Sequence, residues 1–165
     1  MKGRILEIGT GKGRFLAALL RRVPRITTID VDAEEQRFAR MNVAHEERKG
    51  TARFLVADAA ELPWRDRTFD AVVSMNALHH MTDITRVLQE VVRVIRPGGK
   101  IVLADFDRAG YRIMDRIHRR DGRAHQRETY TFGDVAKTLK AAGWRSVRHA
   151  AAGQEVLVAT GGLGK

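Results

Sequence analysis

Two rhythms of apolar residues alternate along the chain. Short apolar or β-branched runs at Arg4–Ile8, Arg25–Ile29, Ala52–Val56, Phe69–Ser74 and Lys100–Phe106 read as buried strands. Between them, apolar positions recur every three or four residues. Lys12–Arg22 places Phe15, Leu16, Leu19 and Leu20 on one face of a helix that stops before Pro24. Ala33–Lys49 aligns Phe38, Met41 and His45 ahead of Gly50, which stands at a C-cap position. The strongest periodicity is Asp83–Ile95, where Ile84, Val87, Leu88, Val91 and Ile95 form one stripe and Thr82 or Asp83 can cap the start. Arg96-Pro97-Gly98-Gly99 predicts a turn ahead of the fifth strand. Tyr111–Arg120 predicts a helix, followed by a polar loop. Thr131 and Asp134 have capping-box spacing and open a helix through Val135, Leu139 and Ala142 that Gly143 ends. Trp144–His149 and Glu155–Thr160 bring the strands to seven. The turn between them, Ala151–Gln154, is too short for a parallel crossover, so this pair is expected to be an antiparallel hairpin.

Strands alternating with helices predict an α/β domain with a mostly parallel seven-stranded sheet and helices on both faces. A length of 165 residues fits one domain, 1–165, with no internal repeat or linker. Composition narrows the chemistry. Cysteine is absent, which excludes disulfides, zinc–thiolate sites and thiolate nucleophiles. No apolar run is long enough to span a bilayer, so a membrane partner is not expected. The start, Met1-Lys2-Gly3-Arg4, has no apolar leader segment, so a cytoplasmic protein is expected. The net charge is +10, with 23 Arg and 7 Lys. These cations are spread over most of the chain, which reads as general arginine usage more than as one polyanion-binding surface.

The chemistry concentrates at Ile5-Leu6-Glu7-Ile8-Gly9-Thr10-Gly11-Lys12-Gly13, between the first strand and the first helix. A glycine loop there lets the backbone approach a ligand at the carboxyl ends of the strands. The dinucleotide pattern needs a glycine at position 14, which is Arg14, and the phosphate-loop pattern needs Gly-Lys-Ser/Thr, which is absent. Asp30 ends the second strand about twenty residues past the loop, where an acid can hold both hydroxyls of a ribose. Loop and acid together indicate an adenosine-type ligand. Asp32, two residues on, competes for that role but is placed to cap the helix at Ala33.

At these residues the chain resembles the class I, Rossmann-like S-adenosylmethionine-dependent methyltransferases, of the small-molecule type found in ubiquinone and menaquinone biosynthesis. The Glu7–Gly13 run is similar to that family's first motif, Ile29-Asp30-Val31-Asp32 to its ribose-binding strand end, and Ala57–Pro63 to its adenine segment. Phe69–His80 resembles its fourth-strand motif, and Arg96–Lys100 the turn before its fifth strand. The resemblance implies S-adenosyl-L-methionine as cofactor. It implies Glu7, Gly9, Thr10, Gly11 and Gly13 around the methionine end, Asp30 and Val31 at the ribose, and Asp58 and Ala59 at the adenine. Ser74 and Asn76 would lie beside the transferring methyl. It also implies that the chain lacks the N-terminal helical extension common in the family.

Methyl transfer from a sulfonium is an in-line displacement in which alignment matters most, and a general base is needed only where the acceptor must lose a proton. His80 and His79, after the fourth strand, are the candidates for that base. His118, Arg123 and His125 are candidate acceptor contacts in the most basic stretch, where Arg108–Glu128 carries seven Arg against three acids. No metal site is expected. Ser74-Met75-Asn76-Ala77 departs from the pattern of enzymes that methylate exocyclic base amines. A small-molecule acceptor is therefore favoured. A nucleic-acid acceptor, suggested by the charge, is the alternative, with few aromatics to stack bases. A non-catalytic cofactor-binding subunit is the third reading, and a homo-oligomer stays open.

Overall fold

The computed structural model describes residues 3–46, 49–120 and 130–161. The chain runs β1 (Ile5–Ile8), α1 (Arg14–Leu20), β2 (Arg25–Asp30), α2 (Ala33–Ala44), β3 (Thr51–Val56) and β4 (Phe69–Met75). A 3₁₀ turn (Leu78–His80) follows, then α3 (Ile84–Val94), β5 (Ile95–Phe106), α4 (Arg108–Arg120), α5 (Phe132–Ala141), β6 (Trp144–Ala151) and β7 (Gln154–Gly161). One seven-stranded sheet has the order β3-β2-β1-β4-β5-β7-β6. The strands from β3 to β5 pair in parallel; β7 is antiparallel to both β5 and β6, so the terminal hairpin forms as expected.

All four residues of β1 are buried, because helices cover both faces of the sheet. Leu6 and Ile8 join the core beneath α3 and α5, with Val72, Leu88, Val91, Val135 and Leu139. Ile5 joins the second core, under α1 and α2, with Leu16, Leu20, Ile26 and Val43. Caps fall where their chemistry predicts. Asp32 accepts from the Glu34 and Glu35 amides, Asp83 from that of Arg86, and Thr131 from that of Asp134.

α4 starts at Arg108, ahead of the expected Tyr111, the hairpin turn narrows to Ala152-Gly153, and three further elements differ more from expectation. Arg96-Pro97-Gly98-Gly99 is a bulge inside β5 and not a turn before it: Phe69 pairs with Ile95 and Ala71 with Lys100, so four residues oppose Asp70 alone. Pro97 cannot donate to the ladder, and the Arg96 guanidinium holds the bulge through the Asp70 carboxylate and the Arg67 carbonyl. α2 ends at Ala44, with His45 as its C-cap, several residues before Gly50. The 3₁₀ turn after β4 has no periodic signal, being only three residues long.

The order of the sheet reverses between β1, which leads to β2, and β4. Ligand crevices in such sheets form at the carboxyl ends of the strands around this point.

Candidate active site

A cavity of about 300 Å³ opens at the carboxyl ends of β1, β2 and β3, where its walls include Gly9, Asp30, Val31, Asp58, Ala59 and His80. That volume is at the low end for small-molecule sites. Five of the residues singled out for the cofactor thus meet in one space, joined by the more exposed of the two candidate histidines.

The loop that forms one wall is tightly braced. The Gly9 and Thr10 amides both donate to the Ile29 carbonyl, at 2.9 and 3.0 Å. Gly9 has φ 83°, and a Cβ there would lie 2.2 Å from that of Ala77, so only glycine lets the loop touch the exit of β4. Gly13 stands at the N-cap of α1 with φ 78°, its Cα face against Ala39 of α2. Asp30 is pinned at both oxygens: Oδ2 accepts from the Gly11 amide at 2.8 Å and Oδ1 from the Asp32 amide at 3.0 Å. Each carboxylate oxygen keeps a second lone pair. Two backbone donors therefore fix the plane of the carboxylate and leave capacity for a diol. Asp58 Oδ1 accepts from the Ala60 amide at 2.8 Å, which shapes the turn after β3.

Behind the loop lies Glu7, fully buried. Its Oε2 accepts from the Thr28 hydroxyl at 2.6 Å, and the Thr28 oxygen is 2.7 Å from that of Thr10. Because Thr28 gives its proton to Glu7, Thr10 donates to Thr28, and the three side chains form one directed chain. The other oxygen, Oε1, is buried without a hydrogen-bond partner among the described residues. Burial, with a small push from the Asp30 charge and against the pull of Thr28, raises the carboxyl to about 8.

Ser74 and Asn76 sit at the end of β4. The Ser74 hydroxyl is buried and donates to the Ile8 carbonyl at 2.9 Å, stitching β4 to β1. Asn76 has φ 53°, donates its amide to the Ala104 carbonyl, and keeps a buried Oδ1 that has no partner among the described residues. Neither they nor Glu7, Thr10, Gly11 and Gly13 line the cavity itself.

The two histidines are placed differently. His80 is exposed on the cavity wall, whereas His79 is buried. Their rings are 4.0 Å apart. His79 Nδ1 lies 2.7 Å from Asp105 Oδ1, and its amide donates to Oδ2 at 3.1 Å. Asp105 also accepts from the Phe106 amide and the Tyr130 hydroxyl. It stands one residue before the end of β5, with no exposure at all and four donors around it. Neither Asp105 nor Tyr130 was singled out by sequence. A lone acid closing the apolar run Ile101–Ala104 was the available signal for Asp105, the same signal that marks Glu7; Tyr130 offered none. Arg123 and His125 lie outside the described residues, and His118 is placed only as a position on α4. Among the described residues, no group of three or more His, Asp or Glu could hold a metal ion.

A family model described as "Methyltransferase domain" matches residues 6–103, more than half of the chain. The chain belongs to this methyltransferase family. Its relatives include a malonyl-[acyl-carrier protein] O-methyltransferase of Geobacter sulfurreducens, 34% identical over 153 residues, covering 87% of this chain and 56% of that protein. Another is a ubiquinone/menaquinone biosynthesis C-methyltransferase of Geotalea daltonii, 28% identical over 119 residues, covering 70% and 51%. The chain spans about half the length of the curated relatives it matches. A Pyrococcus horikoshii protein of known structure superposes with a TM-score of 0.79 at 20% identity, over 98% of this methyltransferase-family chain and 82% of its own. The matched span, 6–103, contains the glycine loop, Asp30, Asp58 and the His79-His80 pair, and stops just short of Asp105.

Proposed function

We propose that the chain transfers a methyl group from S-adenosylmethionine to a small-molecule acceptor, working as a cytoplasmic enzyme. The observation that carries this reading is the cavity at the ends of β1, β2 and β3, where Gly9, Asp30, Val31, Asp58 and Ala59 converge. The residues present fit the cofactor: the pinned Asp30 carboxylate suits a ribose diol, and the orphaned Oε1 of Glu7 suits a donor from the amino-acid end. When bound, S-adenosylmethionine supplies an electrophilic methyl on a sulfonium.

The chain's own part is alignment and, for a protic acceptor, proton removal. Asp30 and Val31 hold the ribose, Asp58 and the Ala59 amide the adenine, and Glu7 with the loop Gly9–Gly13 the amino-acid end. Ser74 locks β4 to β1, which fixes the end of the strand that leads into Asn76. His80, on the cavity wall, is the group placed to accept an acceptor proton. A carboxylate only accepts, so the Asp105 contact puts the shared proton on His79 Nδ1 and orients that ring beside His80. Acceptor contacts are assigned to His118, Arg123 and His125, in and after α4.

Calorimetric titration with S-adenosylhomocysteine tests the cofactor half. Binding in the micromolar range is expected, with marked weakening in Asp30→Ala; absence of binding to a folded wild type would count against the reading. His80→Ala separates the roles on the acceptor side. Turnover should fall while affinity for S-adenosylhomocysteine stays within about twofold, and equal loss of both would make His80 a structural residue.

A further inference from the structure

Glu7 raises a question that cofactor binding alone does not answer. Its carboxyl has no exposure, with one oxygen satisfied by a hydroxyl and the other, among the described residues, by nothing. An ionised carboxylate left this way loses its hydration without a counter-ion, a cost that buried acids ordinarily escape by keeping their proton. Among the described residues, no cation is paired with it. On β2, the strand beside it, Thr28 is its registered neighbour and Asp30, two residues on, is an acid of the same sign. On β4 its registered neighbour is Val73. Thr10, from the loop, reaches it through Thr28. The residues of α1 and α2 in the core on this side are Leu16, Ala17, Leu20 and Val43. Glu7 takes part in no ion pair within the described residues.

We propose that Glu7 holds a proton while the site is empty and gives it up when a ligand ammonium arrives beside it, so that cofactor binding releases a proton and selects ligands that carry an amino-acid end. This rests on the S-adenosylmethionine reading of the cavity and on the amino-acid end passing beyond the cavity, through the loop Gly9–Gly13, to reach Glu7 behind it. The step balances simply. The ligand brings its ammonium already protonated, the Glu7 O–H bond breaks, the carboxylate becomes the counter-ion, and the proton leaves to the buffer. The raised position of the carboxyl, about 8, agrees with a protonated empty state at neutral pH. The selectivity follows from the same cost. A ligand with the adenosine half but no ammonium gives Glu7 no reason to ionise and draws nothing from it.

The test is calorimetry of the full chain at about pH 7 in two buffers of different ionisation enthalpy. For S-adenosylhomocysteine the buffer dependence should report release of close to one proton, and affinity should rise with pH and level off above about 8. Glu7→Gln should abolish the release and weaken binding about tenfold or more. Asp30→Asn, which leaves Glu7 in place, should weaken binding but keep the release. 5′-Methylthioadenosine, which lacks the amino-acid end, should bind with none. Buffer-independent heats for S-adenosylhomocysteine in the wild type would overturn the proton linkage while leaving the cofactor reading intact. No binding at all by the folded wild type would overturn both.

Discussion

Glu7 and Asp105 are both acids at or near the carboxyl ends of core strands, and both are completely buried, yet they are treated in opposite ways. Asp105 accepts four hydrogen bonds, from two backbone amides, an imidazole and a phenol, and ties together the 3₁₀ turn, the end of β5 and the approach to α5. Glu7, among the described residues, accepts one and leaves an oxygen bare. A fully satisfied buried carboxylate is a structural hub, whose removal leaves its donors stranded. A half-satisfied one is a standing cost in the folded chain, of the kind that persists where a ligand supplies the missing partner. The difference separates what holds the site in place from what waits for its occupant.

The comparison can be broken from either side. The largest effect should come from Asp105→Ala, which removes the acceptor that four donors share. Urea unfolding should show a loss of about 3–5 kcal/mol, and saturating S-adenosylhomocysteine should not rescue the lesion selectively. A loss below about 1 kcal/mol would mean that Asp105 is no hub. Next comes Glu7→Gln, whose effect depends on pH with a definite sign. The carboxyl is raised from 4.5 to about 8 in the folded chain, so its neutral form favours folding. That contribution is complete below the unfolded value and is lost as pH climbs through the folded one. Relative to Glu7→Gln, the empty wild type should therefore lose a few kcal/mol between about pH 4.5 and 8.5. Parallel urea midpoints across that range would show Glu7 to be ionised throughout.

Smaller changes sharpen the contrast. Tyr130→Phe deletes one of the four donors to Asp105 and should cost about 1 kcal/mol in unfolding free energy, with cofactor affinity unchanged. Smallest should be Asp70→Asn, at the opposite end of the sheet. There the Arg4 amide, then the Arg96 guanidinium, hold a partly exposed carboxyl below its usual range. Solvent screening limits the loss to about 1 kcal/mol or less. Added salt should shrink it further, whereas the Asp105 lesion should be indifferent to salt.

The strands and amphipathic helices were legible because their periodicities are long enough to be unambiguous; the stripe from Ile84 to Val91 and the caps at Asp32 and Thr131 read directly from spacing. The β5 bulge was not. Pro97-Gly98 announces a break in the ladder, but only the register of β4 shows whether the strand has begun before it. That Gly9, Asp30 and Asp58 share one end of the sheet was legible for a related reason: each lies at or just past the end of a parallel strand, so local sequence puts them at the carboxyl end together. Asp105 and Tyr130 escaped because their meaning is a contact. The bonds joining His79, Asp105 and Tyr130 span about 25 residues each, and no local pattern encodes them. The Ser74 hydroxyl bond to the Ile8 carbonyl is likewise a contact across 66 residues that no local pattern encodes.

The most direct test of Glu7 as a ligand group is a pair of thermal melts at about pH 8.5, wild type against Glu7→Gln, each with and without S-adenosylhomocysteine. The empty variant should melt above the empty wild type, and saturating ligand should reverse that order by stabilising the wild type far more. If the ligand shifts both proteins equally, Glu7 is a buried acid without a partner to find, and the account of the site is wrong at its centre.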